Sequence, residues 1–195
     1  MATRKGKAVF MEDVLDETVA LAKKTIEEKN PKLKNKDAVA KDVAVGAIFF
    51  GDLFNDRSKD VVFDLNRILS FEGDTGPYLM YTHARAASIL KKVKIKPSKD
   101  SDVSLLSDPA EQRVIKLMSL FPAKIQDALC QYRPHILAQY LIEFGRAFNE
   151  FYHKCPCAQE KNKHLQVARL TLVEASRQLL ENGLRLLGIR APGEM

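Results

Sequence analysis

Apolar residues recur every three or four positions through most of the chain, and this periodicity most constrains the fold. It is clearest from Pro134 to Tyr152, where it predicts a helix with one strongly apolar side. The residues on that side are Leu137, Tyr140, Leu141, Phe144, Phe148 and Phe151. Such runs are joined by polar segments, do not alternate with strands and show no internal repeat. We therefore predict an all-α helical bundle.

Capping and stop signals set the expected helix boundaries. Thr75 is the candidate N-cap of a helix starting at Pro77, because Pro is preorganised for the first helical position. Gly188 is the expected stop of the last helix. The predicted helices run from Glu12 to the stop at Asn30-Pro31, Asp37 to Leu53, Pro77 to Lys92, Pro109 to Ser119, Ala123 to Leu129, Pro134 to Tyr152 and Lys161 to Leu187. A short strand could form at Ala8 to Phe10, and "KDVVFDLNRIL" is ambiguous between a strand and a helical turn.

Composition places the chain among soluble globular proteins, with 46% hydrophobic and 29% charged residues. The formal net charge of +6 favours contact with a polyanion such as nucleic acid, although a modest excess of Lys and Arg can also serve solubility alone. Three cysteines are too few for a disulfide framework and indicate a reducing compartment. No apolar run approaches the ~20 residues needed to cross a bilayer, and no secretory signal is evident. These features predict a cytoplasmic protein without membrane association.

The segment "SFEGDTGPYLMYTHARAASIL" carries the main candidate site. Tyr78, Tyr81 and Arg85 fall in one narrow sector of the predicted helix, whereas most of its apolar residues lie on the other side. Two rings and a guanidinium on one flank form a stacking platform for unpaired bases. The alternative is that the tyrosines only cover the core with their hydroxyls in water.

Other polar residues of this segment have simpler roles. Glu72 and Asp74 resemble a pair of catalytic carboxylates, but capping the helix or fixing the loop is the more economical role. His83 lies nearer the apolar side, which favours a hydrogen-bonded structural histidine over a contact with nucleic acid.

Two further constellations predict no site. His153, Cys155, Cys157 and His164 could ligate a metal, but Cys-x-Cys is tighter than the usual spacing of structural zinc sites, and we predict no metal. The second constellation is the set of basic residues on the last helix. These residues are expected to form a solvated face, with contact to nucleic acid as the minor alternative: Lys163, Arg169, Arg177 and Arg185. Leu186 is expected on the apolar side of the same helix.

Three motifs resemble the arginyl-tRNA synthetase family. "SFEGDTGPYLMYTHAR" is similar to the segment that opens the family's anticodon-binding helical domain. "MATRKGKAVFMEDVLDE" resembles the end of the class I KMSKS-type signature loop with its acidic continuation, and "LVEASRQLLENGLRLLGIRAPGEM" resembles the closing helix and tail. The likeness covers essentially all 195 residues in the right order.

The resemblance implies a division of the chain and a set of site residues. Residues 1–12 would be the remnant of the catalytic-domain signature loop, with Thr3, Arg4 and Lys5 holding ATP phosphates. Residues 13–195 would form the helical bundle that contacts the stem and anticodon of tRNA(Arg). The implied tRNA-binding residues are Tyr78, Tyr81, Arg85, Tyr152 and Met195. For Tyr152 the alternative is packing at a helix end, and for Met195 it is a frayed tail.

The departures from the family pattern limit what the chain can do alone. The leading lysine of the signature loop is absent, Ala2 stands where the family often has Ser, and there is no His-x-Gly-His element. We therefore expect the C-terminal part of an enzyme that ligates arginine to tRNA with ATP and Mg, inactive without its N-terminal catalytic domain and needing no cofactor of its own. The alternatives are a freestanding tRNA-binding module, against which the signature-loop remnant argues, and a purely structural bundle.

Overall fold

The computed structural model describes residues 10–195, and this part of the chain is all-α, as predicted. It contains seven α-helices and one short 3-10 turn at Val103–Leu105. The helices are α1 (Met11–Lys29), α2 (Lys36–Leu53), α3 (Leu65–Ile68), α4 (Gly76–Lys92), α5 (Pro109–Cys130), α6 (His135–Lys154) and α7 (Lys163–Leu186). The ambiguous segment is irregular over residues 60–64 and then forms the single turn of α3.

Helix α4 lies at the centre of the bundle, where it packs against α2, α6 and α7. Two hairpins flank it, one of α1 with α2 and one of α5 with α6. The predicted apolar side of α6 is buried along its whole length, and Phe144, Phe148 and Phe151 are fully enclosed. Because α4 is held on three sides, only one flank of it remains open to solvent.

The start of α4 is fixed by a cap and by a close helix crossing. The Thr75 hydroxyl accepts a hydrogen bond from the Tyr78 amide at 3.2 Å, which confirms the predicted cap. The helix begins at Gly76, one residue before the predicted start. A side chain at Gly76 would place its Cβ 2.6 Å from the Gly46 carbonyl oxygen of α2. The bare backbone therefore lets α2 and α4 touch, which sets the position of the first turn.

The structure contains one long helix, α5, where the sequence predicted two short helices. The segment from Pro109 to Cys130 is one helix, with Pro122 in its interior. Pro122 has no amide hydrogen and so removes one hydrogen bond from the helix at the point between the two predicted helices. Packing of α5 against α6 compensates for this missing hydrogen bond.

Helix α7 corrects the predicted basic face. Arg169 is only 9% exposed and donates to Glu111 of α5 at 2.6 Å and to Glu160 at 2.7 Å. Arg177 pairs with its own helix neighbours Glu174 and Glu181, each at 2.8 Å. These two arginines therefore hold structure rather than forming a solvated face.

The end of α7 confirms the predicted stop at Gly188 but not the predicted apolar position of Leu186. Gly188 has a φ of +75° just after the helix, as its predicted role as a stop requires. Leu186 was expected on the apolar side but is 57% exposed, because the core at this end of the helix is reached by Leu184 and Leu187 instead.

Candidate nucleic-acid interface

The open flank of α4 carries the three residues that the helical spacing grouped together. Tyr81 is 40% exposed, while Tyr78 and Arg85 are half-buried against α6. The opposite side of the helix enters the core, with Leu79 and Met80 completely enclosed. The polar flank is therefore the side that faces solvent.

Arg85 lies between two tyrosine rings. Its guanidinium carbon is 4.9 Å from the ring centroid of Tyr81 and 5.1 Å from that of Tyr152. Tyr152 projects from the last turns of α6, so the pattern on α4 alone could not show that the rings meet. Each cation–π contact of this kind contributes about 0.5–2 kcal/mol, depending on exposure. The result is a stacked assembly that is accessible to solvent, since both tyrosines are partly exposed.

Asn149 of α6 links this assembly to Tyr78, and sequence reasoning missed it. Its amide nitrogen donates to the Tyr78 hydroxyl at 2.9 Å and to the Thr82 hydroxyl at 3.1 Å. Its amide oxygen accepts from Arg85 at 2.5 Å. The available signal was weak: a polar amide next to the apolar stripe of α6.

Phe71 and Lys29 extend the row of rings and cations beyond Tyr81. The rings of Phe71 and Tyr81 meet edge to face with centroids 6.3 Å apart. The Lys29 ammonium lies 5.4 Å from the Phe71 centroid. Lys29 is the last residue of α1, and its contact with Phe71 places it beside the α4 flank.

The C-terminal tail packs against the bundle instead of fraying. Asn30 donates to the Met195 carbonyl oxygen at 2.9 Å, and Lys91 contacts Glu194 at 2.5 Å. His83 lies 3.0 Å from the Pro192 carbonyl, and since a carbonyl only accepts, the His83 Nδ1 must donate. These bonds bring Met195 to the groove beside Tyr81.

His83 itself is a structural residue, as its position on the helix predicted. It is 3% exposed, and burial lowers the pKa of its imidazole below the usual 6.5. Its other ring nitrogen faces the Arg177 guanidinium at 3.5 Å. A neutral ring that donates to the tail and accepts from Arg177 satisfies both contacts.

The loop before α4 is held by an ion pair with α6. Arg146 lies 2.5 Å from the Asp74 carboxylate, whereas the cap of α4 is the Thr75 hydroxyl. Asp74 therefore fixes the loop, which was one of the two roles expected of the acidic residues there.

Two adjoining cavities of about 750 and 690 Å³ open along this flank. Cavities of about 300–1,000 Å³ accept drug-sized molecules, so each has room for a nucleotide-sized group rather than for a duplex. Both are lined by Asn30, Tyr81, Arg85, His153 and Met195. Tyr152 lines the first and Tyr78 the second, so the five predicted tRNA-binding residues meet in one groove.

The predicted ATP-loop residues Thr3, Arg4 and Lys5 lie outside the residues that the structure describes.

Among helices of residues 10–195, none combines the length and apolarity that a membrane span requires.

Comparison with solved structures first identifies the class of protein to which the fold belongs. The structure superposes on the arginyl-tRNA synthetase of Thermus thermophilus with a TM-score of 0.91 and 36% sequence identity, covering 96% of this chain and 32% of that one. An arginyl-tRNA synthetase of Plasmodium falciparum shares the fold at a TM-score of 0.83 and 24% identity, covering 96% of this chain and 34% of that one. The chain is thus a helical domain of the class I tRNA synthetase type.

Sequence models then give the family. The chain belongs to the DALR anticodon binding domain family, whose model matches residues 79–195. Residues 1–65 match the model of the catalytic domain of class I (R) tRNA synthetases. The resemblance to arginyl-tRNA synthetases read from the motifs is thereby confirmed. The catalytic-domain match reaches past residue 12, and the domain boundary expected there stays a prediction.

Curated relatives agree with this placement. The arginine–tRNA ligase of Halothermothrix orenii is 47% identical over 195 residues, which are 100% of this chain and 34% of that protein. The arginine–tRNA ligase of Clostridioides difficile is 44% identical with the same coverage. The chain therefore spans about a third of the length of the curated relatives it matches.

Proposed function

We propose that this chain recognises the anticodon stem and loop of an arginine tRNA, as part of an enzyme that ligates arginine to that tRNA. The observation that carries the proposal is the groove in which Arg85 is stacked between Tyr81 and Tyr152. An RNA loop presents unstacked bases and phosphates, and both kinds of group suit partly exposed rings beside a guanidinium. Tyr78 and Met195 border the same groove and complete the proposed binding site.

Charge around the groove supports an anionic ligand. Lys92 lines one cavity beside the ion pair of Lys91 with Glu194, and Lys29 lines the other, which also contains Glu72. Arg85 hydrogen-bonds a neutral amide, and no carboxylate among residues 10–195 forms a salt bridge with it. A stacked arginine that keeps its charge is able to pair with phosphate, which makes binding depend on salt.

The catalytic activity belongs to the whole enzyme in this proposal. ATP, with Mg, would drive the ligation, and Thr3, Arg4 and Lys5 would belong to the loop that holds ATP phosphates. The 195-residue chain alone is expected to be inactive and to act in the cytoplasm. Mixing it with a separately expressed N-terminal catalytic portion and measuring arginine transfer tests this part, with each portion alone as the control.

Binding is tested by fluorescence anisotropy with an arginine tRNA and with the same tRNA carrying a swapped anticodon. We expect tighter binding of the arginine tRNA, and a loss of about tenfold or more for Tyr81→Ala and for Arg85→Ala. Removing the Arg85 charge should also reduce the slope of log affinity against log salt by about one if it meets a phosphate.

Tyr132→Ala and Arg133→Ala are matched controls for these substitutions. Both residues lie at the turn between α5 and α6, and neither lines the groove. Circular dichroism checks that every variant stays folded. Equal affinity for both tRNAs, or equal losses in the control and groove variants, would remove the claim of specific recognition at this groove. An RNA-free role as a structural bundle predicts no measurable affinity.

A freestanding tRNA-binding module is the second candidate. The match of residues 1–65 to a synthetase catalytic domain argues against it, since a module that only binds tRNA has no use for part of an ATP site. Arginine transfer to tRNA by the mixture of this chain with the catalytic portion would favour the enzyme over the freestanding module.

A further inference from the structure

Asn149 is the polar group on which the groove depends, although it is itself half-buried in α6. Its side-chain amide joins three residues of α4: Tyr78, Thr82 and Arg85. The first and third are proposed to contact RNA, and the second only completes the network.

The orientation of the amide follows from Arg85. A guanidinium has donors and no acceptor, so the atom 2.5 Å from it must be the amide oxygen. The amide nitrogen then faces the two hydroxyls and supplies one hydrogen to each. All the polar atoms of the Asn149 side chain are thereby used within the protein.

The remaining hydrogen is that of Tyr78. Thr82 donates its single hydrogen to the Tyr78 carbonyl at 2.8 Å, so its oxygen can only accept from Asn149. The Tyr78 hydroxyl also accepts from Asn149, and in the described part of the chain no acceptor takes its own hydrogen. Tyr78 lines the smaller cavity, so this hydrogen is free to point into the groove.

We propose that Asn149 is a positioning residue for RNA recognition: it holds Arg85 between its two rings and makes the Tyr78 hydroxyl a donor to an acceptor oxygen of the RNA. The inference rests on the proposed function of the groove. It assigns the chemistry of the group that meets Tyr78, which must be a hydrogen-bond acceptor such as a phosphate or base oxygen.

Asn149→Asp tests this polarity with almost no change of shape. A carboxylate only accepts, so the Tyr78 hydroxyl would turn its hydrogen inward and show the groove only lone pairs. The new charge would also neutralise Arg85. Both effects oppose binding of RNA, and we expect the dissociation constant to rise about 30-fold or more.

Asn149→Ala tests the hold on the two α4 side chains. We expect about tenfold weaker binding of arginine tRNA, as for the loss of hydrogen bonds that orient a charged group. In a Tyr78→Phe/Arg85→Ala background the same substitution should change affinity less than about twofold, because its effect passes through those two residues. Gln139→Ala is the matched control, since Gln139 is an amide on the same helix that bonds to Phe54 away from the groove.

A measurement without RNA separates this inference from the proposed function. In NMR spectra of the free chain, the Arg85 guanidinium protons should be shifted upfield by the two rings, and Asn149→Ala should abolish the shift while Gln139→Ala leaves it. If the wild type and Asn149→Ala bind arginine tRNA equally well, the positioning role is refuted but the proposed function is not. An unshifted Arg85 signal in the wild type would overturn it as well. Wild-type protein that fails to prefer arginine tRNA would instead refute the proposed function.

Discussion

The buried ion pair between Glu111 and Arg169 gives the most demanding stability prediction. Glu111 is 1% exposed, and one carboxylate oxygen accepts from Arg169 at 2.6 Å. The other accepts from the Asp108 amide at 2.9 Å and so completes the capping box of α5. Glu111→Ala therefore removes an ion pair and a cap together, and it leaves a buried guanidinium with less compensation.

The expected loss follows from these contacts. Breaking a buried pair from one side costs about 3–5 kcal/mol, and losing a cap costs about 1 kcal/mol. Arg169 keeps its bonds to Glu160 at 2.7 Å and to the Pro156 carbonyl at 3.2 Å, so the lower end applies. We expect the free energy of unfolding to fall by about 3–4 kcal/mol and Tm to fall by about 10 °C, given 2–4 °C per kcal/mol for a chain of this size.

Urea denaturation followed by circular dichroism measures the loss. Glu150→Ala is the control, because Glu150 makes only exposed pairs with Arg113 and Lys154, and its Tm should hardly change. The double variant Glu111→Leu/Arg169→Met should recover part of the stability, since an apolar pair of similar volume avoids the desolvation cost but does not restore the capping box or the bonds to Glu160 and the Pro156 carbonyl. A loss under about 1 kcal/mol for Glu111→Ala, or no recovery in the double variant, would refute the reasoning.

Three further outcomes follow from single sites. Gly76→Ala should lower Tm strongly, because the new Cβ would lie 2.6 Å from a backbone oxygen of α2; thermal unfolding checks this, and an unchanged Tm would contradict the close crossing. His83 has a lowered pKa because it is buried, so the unfolded chain binds more protons below pH 6.5; stability should fall as pH drops below 6.5, and less so in His83→Gln, as Tm across the pH range would show. Cys130 is exposed and should react rapidly with a thiol reagent at neutral pH. Cys155 and Cys157 should react slowly, because burial raises the pKa of Cys155 to about 12 and of Cys157 to about 11. Mass spectrometry counts the labelled thiols, and rapid labelling of all three would contradict the prediction.

Local signals predicted what depends on local interactions. The cap at Thr75 and the stop at Gly188 were recognised because each rests on the backbone within one turn. The grouping of Tyr78, Tyr81 and Arg85 needed only the pitch of a helix. Periodicity therefore predicted the fold class and the exposed flank of α4.

Errors arose where distant parts of the chain meet. Two short helices were predicted where α5 is continuous through Pro122, because packing against α6 outweighs one missing hydrogen bond. Arg169 looked like part of a solvated face, and its partner Glu111 lies 58 residues away. Asn149 gave only a weak local sign, since its role exists only when α6 crosses α4. Spacing along one helix cannot show such pairings, because it carries no information on which helix lies opposite.

The groove depends on the same long-range packing as the core. Gly145 of α6 lies close to Leu79 and Tyr78 of α4, where a Cβ would be 2.9 Å from the Leu79 side chain. That close approach brings Asn149, one turn further along α6, within reach of the α4 flank. The spacing between the two helices therefore sets both the burial of Leu79 and the hydrogen bonds of Asn149. A substitution that separates α4 from α6 should loosen the stacked Arg85 before it unfolds the bundle, since the polar network tolerates less displacement than apolar contacts do.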